Sequence, residues 1–146
     1  MRVFADRDGA SGATTIKASF GGLRMEDLSA QLPELAWLNV IDGSVEGRAE
    51  ARIDQNGEVS HIDGVVISER GKLTGYGPET GFDFAEVAFD LDPVRERITF
   101  RNITLNAPSL DATMTGLAAL QRGPDGSVAG MAGQLDVSRL YVNLPE

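Results

Sequence analysis

The sequence predicts a mainly β fold: a twisted, curved antiparallel sheet, an open taco-like groove or a half-barrel, with two short helices near residues 25–38. Three observations predict it. Apolar and polar residues alternate with period two over most of the chain, most cleanly where Val45, Gly47, Ala49, Ala51 and Ile53 interleave with Ser44, Glu46, Arg48, Glu50 and Arg52. Turn-forming clusters such as Asp54-Gln55-Asn56-Gly57 separate the alternating runs. One stretch alone, Leu23, Leu28, Leu32, Leu35 and Leu38, has helical spacing.

Taken in order, Met1-Arg2-Val3-Phe4 opens like a strand and runs into Asp6 and Asp8, not into the apolar core of a signal peptide. Thr14, Ile16, Ala18 and Phe20 then alternate as a strand. Two helical turns follow, 25–31 and 33–38, separated at Pro33; their apolar side, including Trp37, plugs the end of a sheet or covers one face. After the strand from Ser44 to Ile53, Asn56-Gly57 suits the positive φ angles of a tight hairpin, and Val59 to Ile67 resumes as a strand in which Gly64 marks a bulge or bend. Phe82 and Phe84 lead into Ala85, Val87, Phe89 and Leu91, a parity switch near Ala85 of the kind a bulge makes, and Asp92-Pro93 ends the strand.

Further on, Ile98 and Phe100 lie on one parity and Ile103 and Leu105 on the other, with Asn102 at the switch and Asn106-Ala107-Pro108 as the break. Leu110, Ala112, Met114, Gly116, Ala118 and Leu120 form another long strand, closed by Arg122-Gly123-Pro124-Asp125-Gly126. A last strand covers 128–137. A shift of 69 residues lays Val45, Gly47, Ala49, Asn56-Gly57, Val59, Ile62, Gly64 and Val66 on Met114, Gly116, Ala118, Asp125-Gly126, Val128, Met131, Gly133 and Leu135, a match of hairpin on hairpin that reads either as an internal repeat, 45–66 and 114–135, or as grammar common to β-hairpins.

The 146 residues, 42% of them hydrophobic, suit one ordinary soluble domain able to bury its own core. A formal charge of −9 disfavours a nucleic-acid backbone and anionic headgroups as partners. The absence of cysteine removes disulfides, thiolate nucleophiles and zinc ribbons, without settling the compartment. No apolar run approaches the roughly 18 residues of a membrane span. The chain reads as an excised segment of a longer protein, beginning inside a strand-like stretch and stopping at Asn143-Leu144-Pro145-Glu146 without a tail.

The catalytic inventory is thin. The single histidine, His61, is expected to be exposed or on an edge strand, and neither a His-centred acid/base site nor a multi-histidine metal site can be built from it. Gly75-Tyr76-Gly77-Pro78-Glu79-Thr80-Gly81 has the wrong spacing for a dinucleotide fingerprint and is a loop. Asp6-Arg7-Asp8-Gly9 starts like a calcium loop, but Ala10 and the missing closing glutamate make it a polar turn. Asp83, Glu86 and Asp90 would serve a glycoside hydrolase only if a cleft brought two carboxylates within roughly 5–10 Å. Asn102-Ile103-Thr104 matches a glycosylation acceptor, a pattern common by chance. No catalytic residue, metal ligand or cofactor is therefore expected, and the chain is read as a non-enzyme.

Several stretches together resemble the AsmA-like superfamily of bacterial envelope proteins, in particular the YhdP-type repeat region of its large members. They are Phe20-Gly21-Gly22-Leu23-Arg24-Met25-Glu26-Asp27-Leu28, Leu32-Pro33-Glu34-Leu35-Ala36-Trp37-Leu38 and Gly43-Ser44-Val45-Glu46-Gly47-Arg48-Ala49, then Ile98-Thr99-Phe100-Arg101-Asn102-Ile103-Thr104-Leu105 with Leu110-Asp111-Ala112-Thr113-Met114-Thr115-Gly116. Each piece is ordinary β-strand grammar; their order carries the resemblance. It implies a periplasmic segment of an inner-membrane-anchored parent protein, with an apolar β-groove for phospholipid transport between inner and outer membranes and so a part in outer membrane biogenesis. Its expected partners are phospholipid or acyl chains and neighbouring segments of the parent. The resemblance brings no catalytic motif.

On this reading Val45, Ala49, Ala51, Ile53, Val87, Phe89, Leu110, Ala112, Met114 and Leu135 face the groove, each by alternation. The competing reading is a structural or interaction domain whose apolar face is its core and whose sheet packs on itself or on neighbouring repeats without lipid binding.

Overall fold

The computed structural model describes residues 2–7, 12–31, 33–74, 79–108, 110–124 and 128–142. Asp8-Gly9 of the first turn, Leu32, Gly75-Tyr76-Gly77-Pro78, Asp125-Gly126 and 143–146 lie outside the described residues. Among those described, nine strands form one antiparallel sheet: β1 (Arg2–Arg7), β2 (Thr14–Arg24), β3 (Ile41–Asp42), β4 (Ser44–Ile53), β5 (Val59–Leu73), β6 (Thr80–Asp92), β7 (Arg97–Ala107), β8 (Leu110–Arg122) and β9 (Val128–Val142). The spatial order is β1-β2-β4-β5-β6-β7-β8-β9, with β3 paired to the end of β5. The sheet is open, with β1 at one end and β9 at the other.

The helical periodicity produces α1 (Met25–Gln31) and a 3-10 helix (Pro33–Val40). Glu26 and Asp27 sit in the first turn of α1, where carboxylates favour the positive end of the peptide dipoles. The helical insertion is tied to the sheet at both ends. Met25 N–H donates to Gly43 O (3.1 Å) at its entry, and Thr74 N–H to Val40 O (2.8 Å) at its exit. Within it, the buried Ser29 hydroxyl donates to Asn39 Oδ1 at 2.9 Å, coupling the two helices.

One sheet face carries the core. Met25, Leu28, Leu35, Trp37 and Leu38 from the helices meet Phe20, Val45, Val66, Phe82, Ala85, Phe89, Leu91, Ile98, Phe100 and Leu120 from the strands. Leu28, Leu35, Phe89, Leu91 and Ile98 have no exposed surface. Each such side chain contributes about 1.5–3 kcal/mol by leaving water. Trp37 is the wedge: its ring meets Phe89 edge-on at 5.1 Å and Phe100 at 5.6 Å. Edge-to-face contacts of this kind add about 0.5–1.5 kcal/mol beyond area burial.

Several local expectations are corrected. Gly64 marks no bulge: it pairs regularly with Ala49 and Phe89, and the β4–β5 irregularity falls between Arg52 and Ile53. What requires glycine there is space, since a Cβ would lie 2.6 Å from Arg48 O. In the hairpin before β5 only Gly57 has positive φ; the Asp54 carboxylate closes the turn by accepting from Asn56 N–H (2.9 Å) and Glu58 N–H (3.0 Å). His61 is not on an edge, because β5 lies between β4 and β6. β5 and β9 also run further than expected, to Leu73 and Val142.

Both parity switches are present. Near Ala85 the parity changes, Phe82 and Ala85 both being buried, but without the expected bulge: the β5–β6 pairing keeps one register from Glu69–Phe84 to Gly71–Phe82, with Arg70 between them at a left-handed φ of 57°. At Arg101-Asn102 the pairing shifts toward both neighbours, so β7 bulges there.

The two hairpins separated by 69 residues have one register. Gly47 faces Val66 and Ala49 faces Gly64; Gly116 faces Leu135 and Ala118 faces Gly133. The bulges correspond too, falling between Arg52 and Ile53 in one and Gln121 and Arg122 in the other. A Cβ on Gly47 would strike Val65 O at 2.0 Å, and one on Gly116 would strike the equivalent Gln134 O at 2.3 Å.

Because Phe89 is fully buried and holds Trp37, Phe89→Ala is expected to lower the unfolding free energy by about 3–5 kcal/mol in a urea titration. A loss below about 1 kcal/mol would show that the aromatic wedge is not a main support of the core.

Candidate functional site: an apolar cavity beside the 3-10 helix

The helices are too short to cover the whole apolar face, and where their cover ends a cavity of about 360 Å³ remains. Trp37, Leu38 and Val40 of the 3-10 helix and Ile41 of β3 form one side. Leu73, Ala85, Val87, Phe100, Ile103 and Leu105 contribute from β5, β6 and β7, and Met114, Leu117, Ala118, Met131, Gly133 and Leu135 from β8 and β9. Every lining residue is apolar. The one polar atom these side chains hold is the indole nitrogen of Trp37, which is buried and has no hydrogen-bond partner among the described residues.

Of the ten residues expected to face a groove, Val87, Met114 and Leu135 line this cavity. Val45 and Phe89 do not; they are sealed in the core with α1 and the 3-10 helix. Ala51 is half-buried and packs against that core. Ile53 and Leu110 are half-buried and Ala112 buried, and none of the three lines the cavity. Ala49 is buried and borders a different groove, of about 560 Å³, whose lining includes Lys17, Arg48, Glu50, Asp63 and Arg101. Alternation assigns a residue to a face. It does not say which part of that face the helices close.

Sequence reasoning missed most of the lining. Ile103 and Leu105 carried a signal, since their parity switch at Asn102 is what turns them to the cavity side beyond the β7 bulge. Leu73, Met131 and Gly133 carried none that separates a cavity wall from a core.

The polar face holds the remaining chemistry. Asp63 and Asp90 lie directly opposite each other on β5 and β6, a like-charge pair that costs stability unless cations attend it. His61 Nε2 stands 3.5 Å from a carboxylate oxygen of each. The bulge in β7 brings Arg101 to the same place. Its Nε lies 3.3 Å from Asp90 Oδ2, and its Nη2 donates to the carbonyls of Gly64 and Phe89, both at 3.3 Å. Ligand-type atoms of His61, Asp63 and Asp90 come within 4.8 Å of one another, but the Arg101 guanidinium already occupies one side of the Asp90 carboxylate. The cluster is thus an ion-pair lattice across three strands. Asn102 Nδ2 donates to Thr104 Oγ1 at 3.0 Å, within the glycosylation-like tripeptide.

No family model, curated protein or solved structure matches the chain. Among the described residues no helix is long and apolar enough to cross a membrane.

Arg101 serves two strands at once through a forked group that lysine lacks. Both Arg101→Met and Arg101→Lys are therefore expected to lower stability by about 1 kcal/mol, the size of a partly exposed charged hydrogen-bond set. Thermal denaturation compares them; full retention of stability by the lysine variant would mean that charge alone matters there.

Proposed function

We propose that this chain is a non-catalytic module of an AsmA-like, YhdP-type envelope protein, and that its cavity takes an acyl chain of a phospholipid moving between the inner and outer membranes. The observation that carries this reading is the wholly apolar lining of a cavity whose size falls in the range of ligand pockets, about 300–1,000 Å³. Such a lining offers nothing to orient a polar substrate and no acid, base or nucleophile, whereas a hydrocarbon chain needs only removal from water. The headgroup stays outside. A periplasmic location in an inner-membrane-anchored parent belongs to the same proposal and is supported by the sequence resemblance alone.

The second reading, a structural or interaction domain without lipid, has its own support. Val45 and Phe89, expected in a groove, are ordinary core residues, so part of the apolar face is already satisfied by the helices.

Native mass spectrometry with lipid extraction, after expression with phospholipid present, separates the two. Bound phospholipid is expected on the unaltered chain, lost in Met114→Glu and kept in Lys17→Glu on the opposite face, with circular dichroism unchanged. A lipid-free chain that takes up no fluorescent fatty acid would favour the structural reading.

A further inference from the structure

Trp37 is the only tryptophan of the chain, and it belongs both to the core and to the cavity wall. Leu35 and Leu38 of the same 3-10 helix are sealed in the core, which fixes the helix and sets the indole at the seam. Packing alone does not ask for tryptophan there, because edge contacts like those with Phe89 and Phe100 are equally open to phenylalanine. What tryptophan adds is an N–H. Its Nε1 is buried and has no hydrogen-bond partner among the described residues.

Native structures pair nearly all buried donors, since an unpaired one costs stability. The two phenylalanine rings and the side chains of the cavity wall offer weak acceptors only, π faces and the thioethers of Met114 and Met131. No other lining side chain carries a nitrogen or an oxygen. The wall therefore holds one donor and no strong acceptor.

On the reading of the cavity as an acyl-chain site, we propose that the indole N–H of Trp37 is its polar anchor and selects an uncharged carboxylic ester, donating to the ester carbonyl while the chain lies along the apolar wall. The selection follows from what the lining lacks. A fatty alcohol or amide brings a donor of its own, which finds no strong acceptor there. A free carboxylate brings a charge to a wall without a cation, in a chain whose formal charge is already −9. An ester brings acceptors and no donor, so its carbonyl gains a partner and nothing is left orphaned. Because Nε1 is closed to water, the bond forms by a turn of the indole toward the open space on its cavity side.

The full chain is titrated with three probes of matched chain length: methyl octanoate, decane and 1-nonanol. The single tryptophan gives one indole N–H resonance in the proton NMR spectrum. Methyl octanoate is expected to move that resonance downfield, further than decane does, and to bind more tightly than nonanol. Trp37→Phe is expected to weaken methyl octanoate several-fold, the size of one lost hydrogen bond, and to leave decane binding as before, which shows that the variant's cavity is intact. If Trp37→Phe does not fold, the indole resonance and the probe order on the unaltered chain decide. Equal loss of ester and decane in the variant, an indole resonance that responds alike to both, or nonanol bound as tightly as the ester would overturn the proposal and leave the acyl-chain reading standing. Binding of none of the three probes would overturn both.

Discussion

Trp37 standing edge-on between Phe89 and Phe100 is the contact on which the rest of the molecule depends. A single open sheet leaves its apolar face in water unless something covers it, and here the cover is one short helical insertion between β2 and β4. The insertion is too small to hold by its own helix propensity. It is fixed by the tryptophan wedge, by the leucines around it and by backbone hydrogen bonds at both ends. The same tryptophan forms part of the cavity wall, so the element that completes the core also marks where the core stops.

The opposite face is organised by a different device. The bulge at Arg101-Asn102 shifts β7 against both neighbours, and Arg101 reaches two carbonyls and a carboxylate on neighbouring strands. One irregularity therefore does two things. It turns Ile103 and Leu105 toward the cavity, and it supplies the cation that offsets Asp63 facing Asp90.

Much of this was legible in the residues. The leucine spacing and Pro33 located both helices, with α1 at 25–31 and the 3-10 helix extending from 33 to Val40, and the alternation located the long strands. Illegible features have physical causes. The end of β9 was missed because the pairing shifts between Thr113 and Met114, so the apolar parity of Leu135 and Val137 passes to Leu140 and Val142 across Ser138, whose hydroxyl donates to Thr113 O. Gly64 was misread because a glycine needed for close backbone approach looks, in sequence, like one needed for a bend. The candidate site was legible only as a face. Val87 lines the cavity and its neighbour two residues on, Phe89, is sealed in the core, a difference set by the resting place of Trp37.

The strand order has a consequence for how the chain reaches this state. From β5 onward each long strand pairs with the one made just before it; the β2–β4 pairing spans the helical insertion, and the two-residue β3 reaches past β4 to the end of β5. Most β architectures fold slowly because distant segments must find each other. A meander of this kind has no such search: a chain emerging end first can add each new strand to a sheet already in place, closing one short loop at a time. The growing edge then moves along the sheet with synthesis, from β4 through to β9 among the described strands.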